Sequence, residues 1–159
     1  MGVQRMPAGT GEQLRLLTFV CAGERFTIDV AFVREIVPMP EVTPVPFVPD
    51  TVSGIINHRG TIYTLISFAR LAGLGADRPA TVVLLRLPEM AIGLAVAAVE
   101  GIGSAADGAF AAAGGVEPPT VPFLRRSSDA TGHLVHAIDA ELLIDTIYQL
   151  PELARTGEA

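Results

Sequence analysis

The stretch Ile28-Asp-Val-Ala-Phe-Val-Arg-Glu-Ile36 decides the fold, because a similar stretch returns later in the chain. At an offset of 66 residues it aligns with Leu94-Ala-Val-Ala-Ala-Val-Glu-Gly-Ile102, and Val, Ala, Val and Ile coincide. Two further matches keep the same order: Pro46-Phe47 with Pro122-Phe123, and Ile66, Ser67 and Leu71 with Ile138, Asp139 and Leu143. One short match arises by chance, but three in one order predict an internal duplication. We therefore expect two similar small β barrels that share a core.

Apolar alternation between turn signals predicts short strands along most of the chain. The predicted strands are Leu14–Cys21, Arg25–Val30, Val52–Asn57, Thr61–Ser67, Val82–Leu87, Ala91–Val99 and His133–Asp139. Residues Phe68–Gly73 indicate a short helical turn, and Ala140–Leu150 a C-terminal helix. Val33–Val37 fits either a helical turn or a strand, and Gly101–Pro122 indicates mainly a connection.

These segments predict one domain over residues 13–150, between a flexible leader at 1–12 and a tail at 151–159. Within the domain, the repeat places one lobe at approximately 13–75 and the other at 80–150. Whether the termini cross over between the lobes stays open. Each lobe is too small to bury its apolar face well by itself, so we expect the two lobes to pack on a common core.

Composition excludes several classes of protein. Half of the residues are hydrophobic and 18% are charged, which is not the composition of a disordered chain. The 11 basic and 17 acidic residues give a formal charge of −6, and the longest basic run is Arg125–Arg126, too short for binding nucleic acid or an anionic membrane. Cys21 is the single cysteine, so no internal disulfide can form. We expect a cytoplasmic protein with no nucleic-acid partner and no direct membrane insertion.

The residues form no convincing catalytic or metal-binding motif. Gly101–Ala106 fits a loose dinucleotide-binding pattern, but the glycines that follow it suit no helix. His133 and His136 lie three apart on a predicted strand, so their side chains point to opposite faces and make a poor metal pair. We therefore expect a protein without enzymatic activity, metal or cofactor.

Polar residues interrupt the apolar strands of the first half. Asp29 lies between two apolar residues and therefore points away from the apolar face. Asn57 and Gly60 suit a turn, because both tolerate positive φ. Arg59 fits two interpretations. It is either a solvated loop cation or a guanidinium, held by Asp29, that recognises a carboxylate bidentately.

Five segments carry a family resemblance: Phe26-Thr-Ile-Asp-Val30, Val33-Arg-Glu-Ile36, Pro46-x-x-Pro49, Gly54-Ile-Ile-Asn-His-Arg-Gly60 and Ile62-Tyr-Thr-Leu-Ile-Ser-Phe-Ala-Arg-Leu-Ala-Gly73. In this order they resemble the CheW family, the adaptors of bacterial chemotaxis, over residues about 14 to 148. The resemblance implies a mainly β fold with two five-stranded, SH3-like β barrels around a shared hydrophobic core and a short C-terminal helix. It also implies a non-catalytic adaptor between the regulatory domain of a CheA-type histidine kinase and the cytoplasmic tip of methyl-accepting chemoreceptors. Such an adaptor is recruited to membrane-associated receptor arrays.

The resemblance also implies roles for single residues, carried over by position. The receptor-facing groove involves Val33, Glu35, Ile36, Asn57 and Arg59. The candidates for the kinase-facing side are Gly54 and Ile55. We take Asp29, Gly60 and Asp139 as structural polar residues.

The chain departs from the family pattern at several positions. His58 stands where Leu is usual, and Ser67 replaces the Asp of a Pro-Val-Ile-Asp strand, although Asp139 keeps it in the second half. We expect Ser67 to free or reorient a neighbouring arginine, with Arg70 as the candidate. These departures leave two alternatives open. One is a CheW-like scaffold of a pathway that controls pili or biofilm, and the other is a regulatory barrel that binds a small ligand between the lobes.

Overall fold

A computed structural model of the protein describes residues 15–75, 77–104, 121–128 and 132–150. The predicted leader at 1–12 and the tail at 151–159 lie outside these residues. The strands are β1 (Arg15–Cys21), β2 (Glu24–Asp29), β3 (Val33–Pro38), β4 (Val52–His58), β5 (Thr61–Ser67), β6 (Thr81–Leu85), β7 (Ile92–Val96), β8 (Ala98–Ser104), β9 (Leu124–Ser128) and β10 (Leu134–Ile138). The helices are α1 (Phe68–Leu71) and α2 (Ala140–Tyr148).

The strands form two five-stranded sheets. Sheet one has the order β8-β1-β2-β10-β9, and sheet two has the order β3-β6-β7-β5-β4. The neighbours are antiparallel except β10 with β2 and β5 with β7, which are parallel. This architecture confirms the predicted mainly β fold of two SH3-like units with a C-terminal helix, although neither sheet closes into a complete barrel.

The two halves of the chain exchange strands between the sheets. Strand β3 follows β2 in sequence but pairs with β6 in sheet two, and β8 follows β7 but pairs with β1 in sheet one. The sheets therefore do not divide the chain into 13–75 and 80–150. The physical reason is a change of direction after β2 and after β7. Asp29 caps a 3-10 turn at Val30–Phe32, and the chain bends at Ala97, whose N–H donates to the carbonyl of Val20 at 3.0 Å.

The predicted segments differ from the observed strands in three places, and the first is β9 (Leu124–Ser128), which lies where no strand was predicted. The apolar run Ala91–Val99 is two strands rather than one, because β7 is buried on both faces and so shows no alternation before the bend. Residues Gly101–Ser104 belong to β8 rather than to a connection, and the rest of that predicted connection up to residue 120 lies outside the described residues. For Val33–Val37 the sequence fitted either a helical turn or a strand, and the segment lies in strand β3.

Strand register shows that the two halves have the same plan. In sheet two the parallel pair joins Thr64 to Ile92, and in sheet one it joins His136 to Phe26. These pairs are related by the same offsets of 72 and 66 residues that align the halves in sequence. Helix capping repeats as well: Ser67 and Asp139 each stand at a helix N-cap and accept a backbone N–H, from Arg70 at 3.3 Å and from Leu142 at 3.1 Å.

Two apolar clusters stabilise the fold. The larger cluster lies between the sheets and the two helices, and its largest side chains are the fully buried Phe19, Phe26, Phe68 and Phe123. The rings of Phe19, Phe26 and Phe68 lie with centroids 4.9–5.5 Å apart, in edge and stacked contacts. The smaller cluster fills the other face of sheet two and consists of Val37, Ile56, Tyr63, Leu65, Val82, Leu84 and Ala95. Sheet two is therefore apolar on both faces and forms a firm support for the residues at its edges.

Candidate functional site

The turn between β4 and β5 holds polar residues in a fixed arrangement. Its two central residues, Arg59 and Gly60, have φ of 53° and 85°, and the flanking His58 pairs with Thr61. A two-residue hairpin loop with positive φ at both positions matches the right-handed twist of the strands. Asn57 Oδ1 accepts the N–H of Gly60 at 3.0 Å and fixes the turn from inside. Asn57 and Gly60 therefore act first as turn residues, as their types predict.

Glu35 on β3 joins this turn across the open edge of sheet two. His58 Nε2 lies 3.1 Å from Glu35 Oε1, so the imidazole N–H donates to the carboxylate. Arg59 Nη2 lies 3.2 Å from Glu35 Oε2, and Nη1 lies 3.4 Å from Oε1. Because β3 and β4 are the two edge strands of sheet two, these contacts connect its edges through side chains instead of a backbone ladder.

The contacts leave the two charged groups in different environments. The Glu35 side chain is 32% exposed, whereas the Arg59 side chain is 76% exposed. The carboxylate is thus half-covered by two donors, and most of the guanidinium faces solvent. A guanidinium has five N–H donors, so Arg59 can take a second carboxylate while it keeps Glu35.

The structure places the expected receptor-facing residues on these two neighbouring elements. Val33 is buried in the larger cluster, and Ile36 is half-buried against it. Asn57 is exposed near the end of β4, and Ile62 beside the turn is 51% exposed. The surface that reaches solvent is therefore polar around Glu35 and Arg59, with an apolar contribution from Ile62.

Arg59 and Arg70 each pair with a carboxylate that the sequence did not indicate. Asp29 does not hold Arg59, because its carboxylate accepts the backbone N–H of Ala31 at 2.9 Å and caps the turn beside it. Glu35 takes that place. Arg70 forms an ion pair with Asp50 at 2.9 Å, while Ser67 caps α1 with its own hydroxyl.

The candidates for the kinase-facing side lie further along β4. Gly54 is buried with φ of 150°, and a Cβ built there meets the carbonyl oxygen of Thr43 at 2.4 Å. Ile55 is half-buried and exchanges two backbone hydrogen bonds with Thr43, at 2.8 and 2.9 Å. Gly54 therefore contributes backbone shape at this place, and Ile55 contributes a partly open side chain.

Sequence reasoning left some members of the surface unassigned. His58 contacts Glu35, although it was not among the candidate residues. Arg86, the residue after β6, donates from Nη2 to the carbonyl of Val33 at 3.4 Å. Arg34 is exposed on β3, where it lies between Val33, which is buried, and Glu35, which is half-buried. The hairpin register could have pointed to His58, but the contact of Arg86 depends on the pairing of β3 with β6 across the halves.

An open cleft of about 700 Å³ lies on sheet one rather than between the lobes. Its lining residues come from the β1–β2 hairpin, β8 and the segment that includes β10, and they are Val20, Gly23, Glu24, Arg25, Glu100, His133, Leu134 and His136. Arg25 Nε lies 3.0 Å from Glu100 Oε1, and Glu24 contacts His136. The charges of this cleft are thus matched with one another within the protein.

A second polar contact joins Cys21 to the loop before β6. The buried thiol donates from Sγ to Asp77 Oδ2 at 3.1 Å. Burial raises the pKa of Cys21 far above its ordinary value, and the hydrogen bond and charge of Asp77 add to the shift. Burial by itself raises the pKa of Asp77, but hydrogen bonds from Cys21 and from the backbone N–H groups of Arg78 and Ala22 outweigh it and lower that pKa. The thiolate is therefore disfavoured at neutral pH, which suits a structural rather than a reactive cysteine.

Neither a metal centre nor a membrane span is found in the described parts of the chain. Across residues 15–75, 77–104, 121–128 and 132–150, no three His, Cys, Asp or Glu side chains come together as metal ligands. Within the same residues, no helix has the length and apolar character to cross a bilayer.

Comparisons with known proteins agree on one family. The family profile described as CheW-like domain matches residues 15–147. The chemotaxis protein CheW of Rhizobium meliloti (strain 1021) is 30% identical over 95 residues, which cover 58% of this chain and 61% of that protein. The chemotaxis protein CheW of Treponema pallidum (strain Nichols) is 40% identical over 65 residues, covering 40% of this chain and 38% of the relative. The chain thus matches less than two thirds of the length of each relative.

The fold is also that of a solved structure. The scaffolding protein TtCheW from Thermoanaerobacter tengcongensis superposes with a TM-score of 0.65 at 22% identity, over 87% of this chain and 89% of that one. At this identity the likeness concerns the arrangement of the two sheets.

Proposed function

The chain belongs to the CheW family, and on that premise we propose that it is a non-catalytic signalling adaptor. It couples the regulatory domain of a CheA-type histidine kinase to the cytoplasmic tips of chemoreceptors. The protein works in the cytoplasm and is recruited to membrane-associated receptor arrays. Its action is binding alone, and it needs no cofactor.

The observation that carries the proposal is the contact of Glu35 with His58 and Arg59. These residues lie 23 and 24 positions apart in sequence, and their contacts join the two edge strands of sheet two into a single surface. We propose that this surface, with Val33, Ile36 and Asn57, receives the helical tip of the receptor. Apolar contacts supply affinity in such helix-in-groove complexes, while a charged pair such as Glu35 and Arg59 fixes register and excludes wrong partners.

The kinase-facing side is proposed on the neighbouring part of β4. Ile55 lies two residues from Asn57 on the same strand, so the two proposed surfaces are joined by one extended backbone segment. A strand supported by a buried sheet transmits position with little deformation, since packed interiors are stiff. This suits an adaptor whose task is to hold a kinase at a fixed place beside a receptor.

The same fold suits a parallel pathway that controls pili or biofilm. Of the two residues that depart from the family pattern, His58 lies on the proposed receptor-facing surface, whereas Ser67 caps α1. The distinction therefore rests on which kinase the protein binds.

The test is a calorimetric titration with two sets of partners from the same genome: the regulatory domain of each CheA-type kinase and the cytoplasmic fragment of each chemoreceptor. We expect one kinase and at least one receptor fragment to bind. Arg59→Glu should weaken receptor binding by at least about tenfold, because a charge of the wrong sign then faces the partner. Its thermal unfolding should stay close to that of the wild type, since exposed ion pairs contribute little to stability.

The matched control is Arg126→Glu, the same charge change on an exposed residue of β9 at the edge of sheet one. It should bind the receptor fragment as the wild type does. If no kinase and no receptor fragment binds the folded protein, the adaptor proposal is wrong. The cleft on sheet one then becomes the place to search for a small ligand, because it is concave and holds charged groups of both signs.

A further inference from the structure

The surface around Glu35 carries an excess of positive charge in a chain that is negative as a whole. Three short segments form it, namely residues 30–36, 57–63 and 84–87, and they hold Arg34, Arg59 and Arg86. Glu35 is the single carboxylate within these bounds, Asp29 lies one residue before them, and His58 adds an imidazole. Three of the 11 basic residues and one of the 17 acidic residues thus lie here, against a formal charge of −6 for the chain. We call this surface the cationic edge.

Contacts join two of the three arginines of the cationic edge to β3. Arg86 donates to the carbonyl of Val33, and Arg59 pairs with Glu35, two residues further along β3. Arg34, the exposed residue between them, lies at the β-bulge where the register with β6 shifts. A bulge turns a side chain out of the regular alternation. Two arginines are therefore fixed beside the first residues of β3, and a third stands between them.

The other half of the chain shows that the fold does not require these charges. The residues equivalent to Arg34, Glu35 and Arg86 at the offset of 66 are Glu100, Gly101 and Val20. They occupy the same places in β8 and at the end of β1, and Glu100 is paired with Arg25. The same backbone frame thus supports a strand with a negative residue in one half and a positive one in the other. The cationic edge is a property of the surface and of what it meets.

We propose that the cationic edge selects a partner segment that carries carboxylates beside an apolar side chain. The proposal rests on the proposed function, because it assigns the chemistry of the receptor segment that this face receives. Arg59 keeps Glu35 and takes a partner carboxylate with its exposed donors, and Arg34 and Arg86 attract further acidic residues. The exposed Ile62 accommodates the apolar side chain.

Charge and shape favour a protein segment over other anions. Nucleic acids and anionic membranes are polyanions, and a chain with a formal charge of −6 is repelled by them at a distance. A single acidic helix has few charges and meets only the local field of the edge. Electrostatic attraction of this kind raises the association rate and falls as salt screens it, with a Debye length of about 10 Å at 0.1 M.

The experiment compares the wild type with Arg34→Glu/Arg86→Glu, using the receptor cytoplasmic fragment as the probe at 50 and 300 mM NaCl. Neither arginine belongs to the family-derived set of receptor residues, so the double variant tests the new assignment alone. We expect its affinity at 50 mM NaCl to fall by about tenfold or more and its salt dependence to disappear. Arg126→Glu, the matched change on sheet one, should stay within about twofold of the wild type.

Equal binding of the wild type and the double variant at both salt concentrations would overturn the selection of an acidic partner and leave the adaptor function intact. If the receptor fragment fails to bind the wild type, the adaptor function is wrong and a second probe decides the inference. That probe is a synthetic amphipathic helical peptide with four Glu on one face, titrated into isotope-labelled protein, with its four-Gln analogue as control. Amide shifts at Arg34, Arg59, Gly60 and Arg86 with the Glu peptide alone support the inference. Equal shifts with both peptides, none with either, or the same shifts with anionic phosphatidylglycerol vesicles contradict it.

Discussion

Strands β3 and β8 hold equivalent places in the two halves of the chain, yet they present different surfaces. The apolar pair Val33 and Ile36 recurs in β8 at an offset of 66 residues, whereas Arg34-Glu35 becomes Glu100-Gly101. Each strand keeps a bulge in its pairing with the neighbouring strand. Packing thus holds the apolar positions and the backbone irregularity constant, because a change there disturbs the shared core. Positions that meet solvent carry no such constraint and have taken opposite charges.

The faces of the two sheets that lie opposite the larger apolar cluster differ as well. Leu84 and Leu65 are fully covered in the smaller apolar cluster of sheet two. Their counterparts at offsets of 66 and 72 are Thr18 and Ala137, which are smaller or polar. Sheet two therefore has an aliphatic filling of its own, while sheet one relies on the larger cluster that both sheets share. Sheet two, which has apolar side chains packed on both faces, carries the proposed binding surface.

The largest expected difference in stability between the two halves comes from replacing one glycine in each half. Gly54 and Gly101 have φ of 150° and 153°, but an added Cβ at Gly54 meets a backbone oxygen at 2.4 Å while nothing lies within 4 Å at Gly101. Gly101→Ala should lose about 1–2 kcal/mol from backbone strain alone. Gly54→Ala should lose about 3–5 kcal/mol, because the Thr43 segment must also move. Urea unfolding monitored by circular dichroism gives both values.

Equal losses in the two variants would show that the segment around Thr43 yields without cost. In that case Gly54 is required by its φ alone, and β4 around Gly54 is no more rigid than β8 around Gly101.

A truncation in each sheet tests whether the faces opposite the larger cluster differ in their contribution to stability as they do in composition. Leu84→Ala should cost about 3 kcal/mol, since a fully buried leucine leaves a cavity in a packed cluster. Thr18→Ala, at the equivalent half-buried place, should cost less than about 1 kcal/mol. The free energies come from the same unfolding experiment. If Thr18→Ala lowers the free energy of unfolding as much as Leu84→Ala does, these faces of the two sheets contribute equally to stability.

The helix caps of the two halves are expected to differ in stability by a smaller amount. Asp139 caps the nine-residue α2, whereas Ser67 caps the four-residue α1. Asp139→Ala should lose about 1 kcal/mol of stability, and Ser67→Ala about 0.5 kcal/mol, because the longer helix has more structure that depends on its first turn. Asp139→Ser should restore most of the loss, since a hydroxyl accepts the same N–H. Differential scanning calorimetry would show the ranking, and a reversed order would contradict it.

The smallest effect expected concerns Asp77, whose partner Cys21 corresponds to the apolar Leu87 in the other half. The pKa of Asp77 is lowered in the folded protein, so its ionised form stabilises the fold above the unfolded pKa of about 3.9. This stability is lost as the pH falls through the lower folded pKa. Asp77→Asn should therefore be less stable than the wild type at pH 6, by about 1 kcal/mol or less, and the two should converge below pH of about 4.

The control for this pH dependence is Asp50→Asn, which removes an exposed carboxylate paired with Arg70. It should leave stability nearly unchanged at both pH values. A difference between wild type and Asp77→Asn that grows toward acid would reverse the sign of the argument and contradict it.

Much of the fold could be predicted from the sequence because its signals are local. The alternation of apolar residues predicted most of the strands, and the match between Ile28–Ile36 and Leu94–Ile102 indicated the duplication. The exchange of β3 and β8 was not predictable from those signals, because it depends on pairings with residues about 50 or 80 positions away. The split of Ala91–Val99 into two strands escaped for a related reason, since a strand buried on both faces shows no alternation.

The candidate site was predictable only in part. Residue types around the β4–β5 turn indicated a turn with an exposed arginine, and that turn is observed. The partner of Arg59 was not predictable, because Asp29 is consumed by a local cap and Glu35 arrives from another strand. Arg86 carried no signal at all in the sequence, since its contact with Val33 exists only through the β3–β6 pairing.

The exchanged strands have a consequence for the ancestry of the chain. A protein made of the first half alone would keep the β1–β2 and β4–β5 hairpins but lose the strands that join them in the sheets, since β3 pairs with β6, β5 with β7 and β2 with β10. Two copies of such a half, each contributing two strands to one sheet and three to the other, would recreate both sheets as an intertwined homodimer. Gene fusion of the two copies would then free each from the need to be identical. A homodimer encoded by one gene has the same residue at this position in both copies. Arg34 and Glu100, with their opposite charges, could therefore arise only in the fused chain.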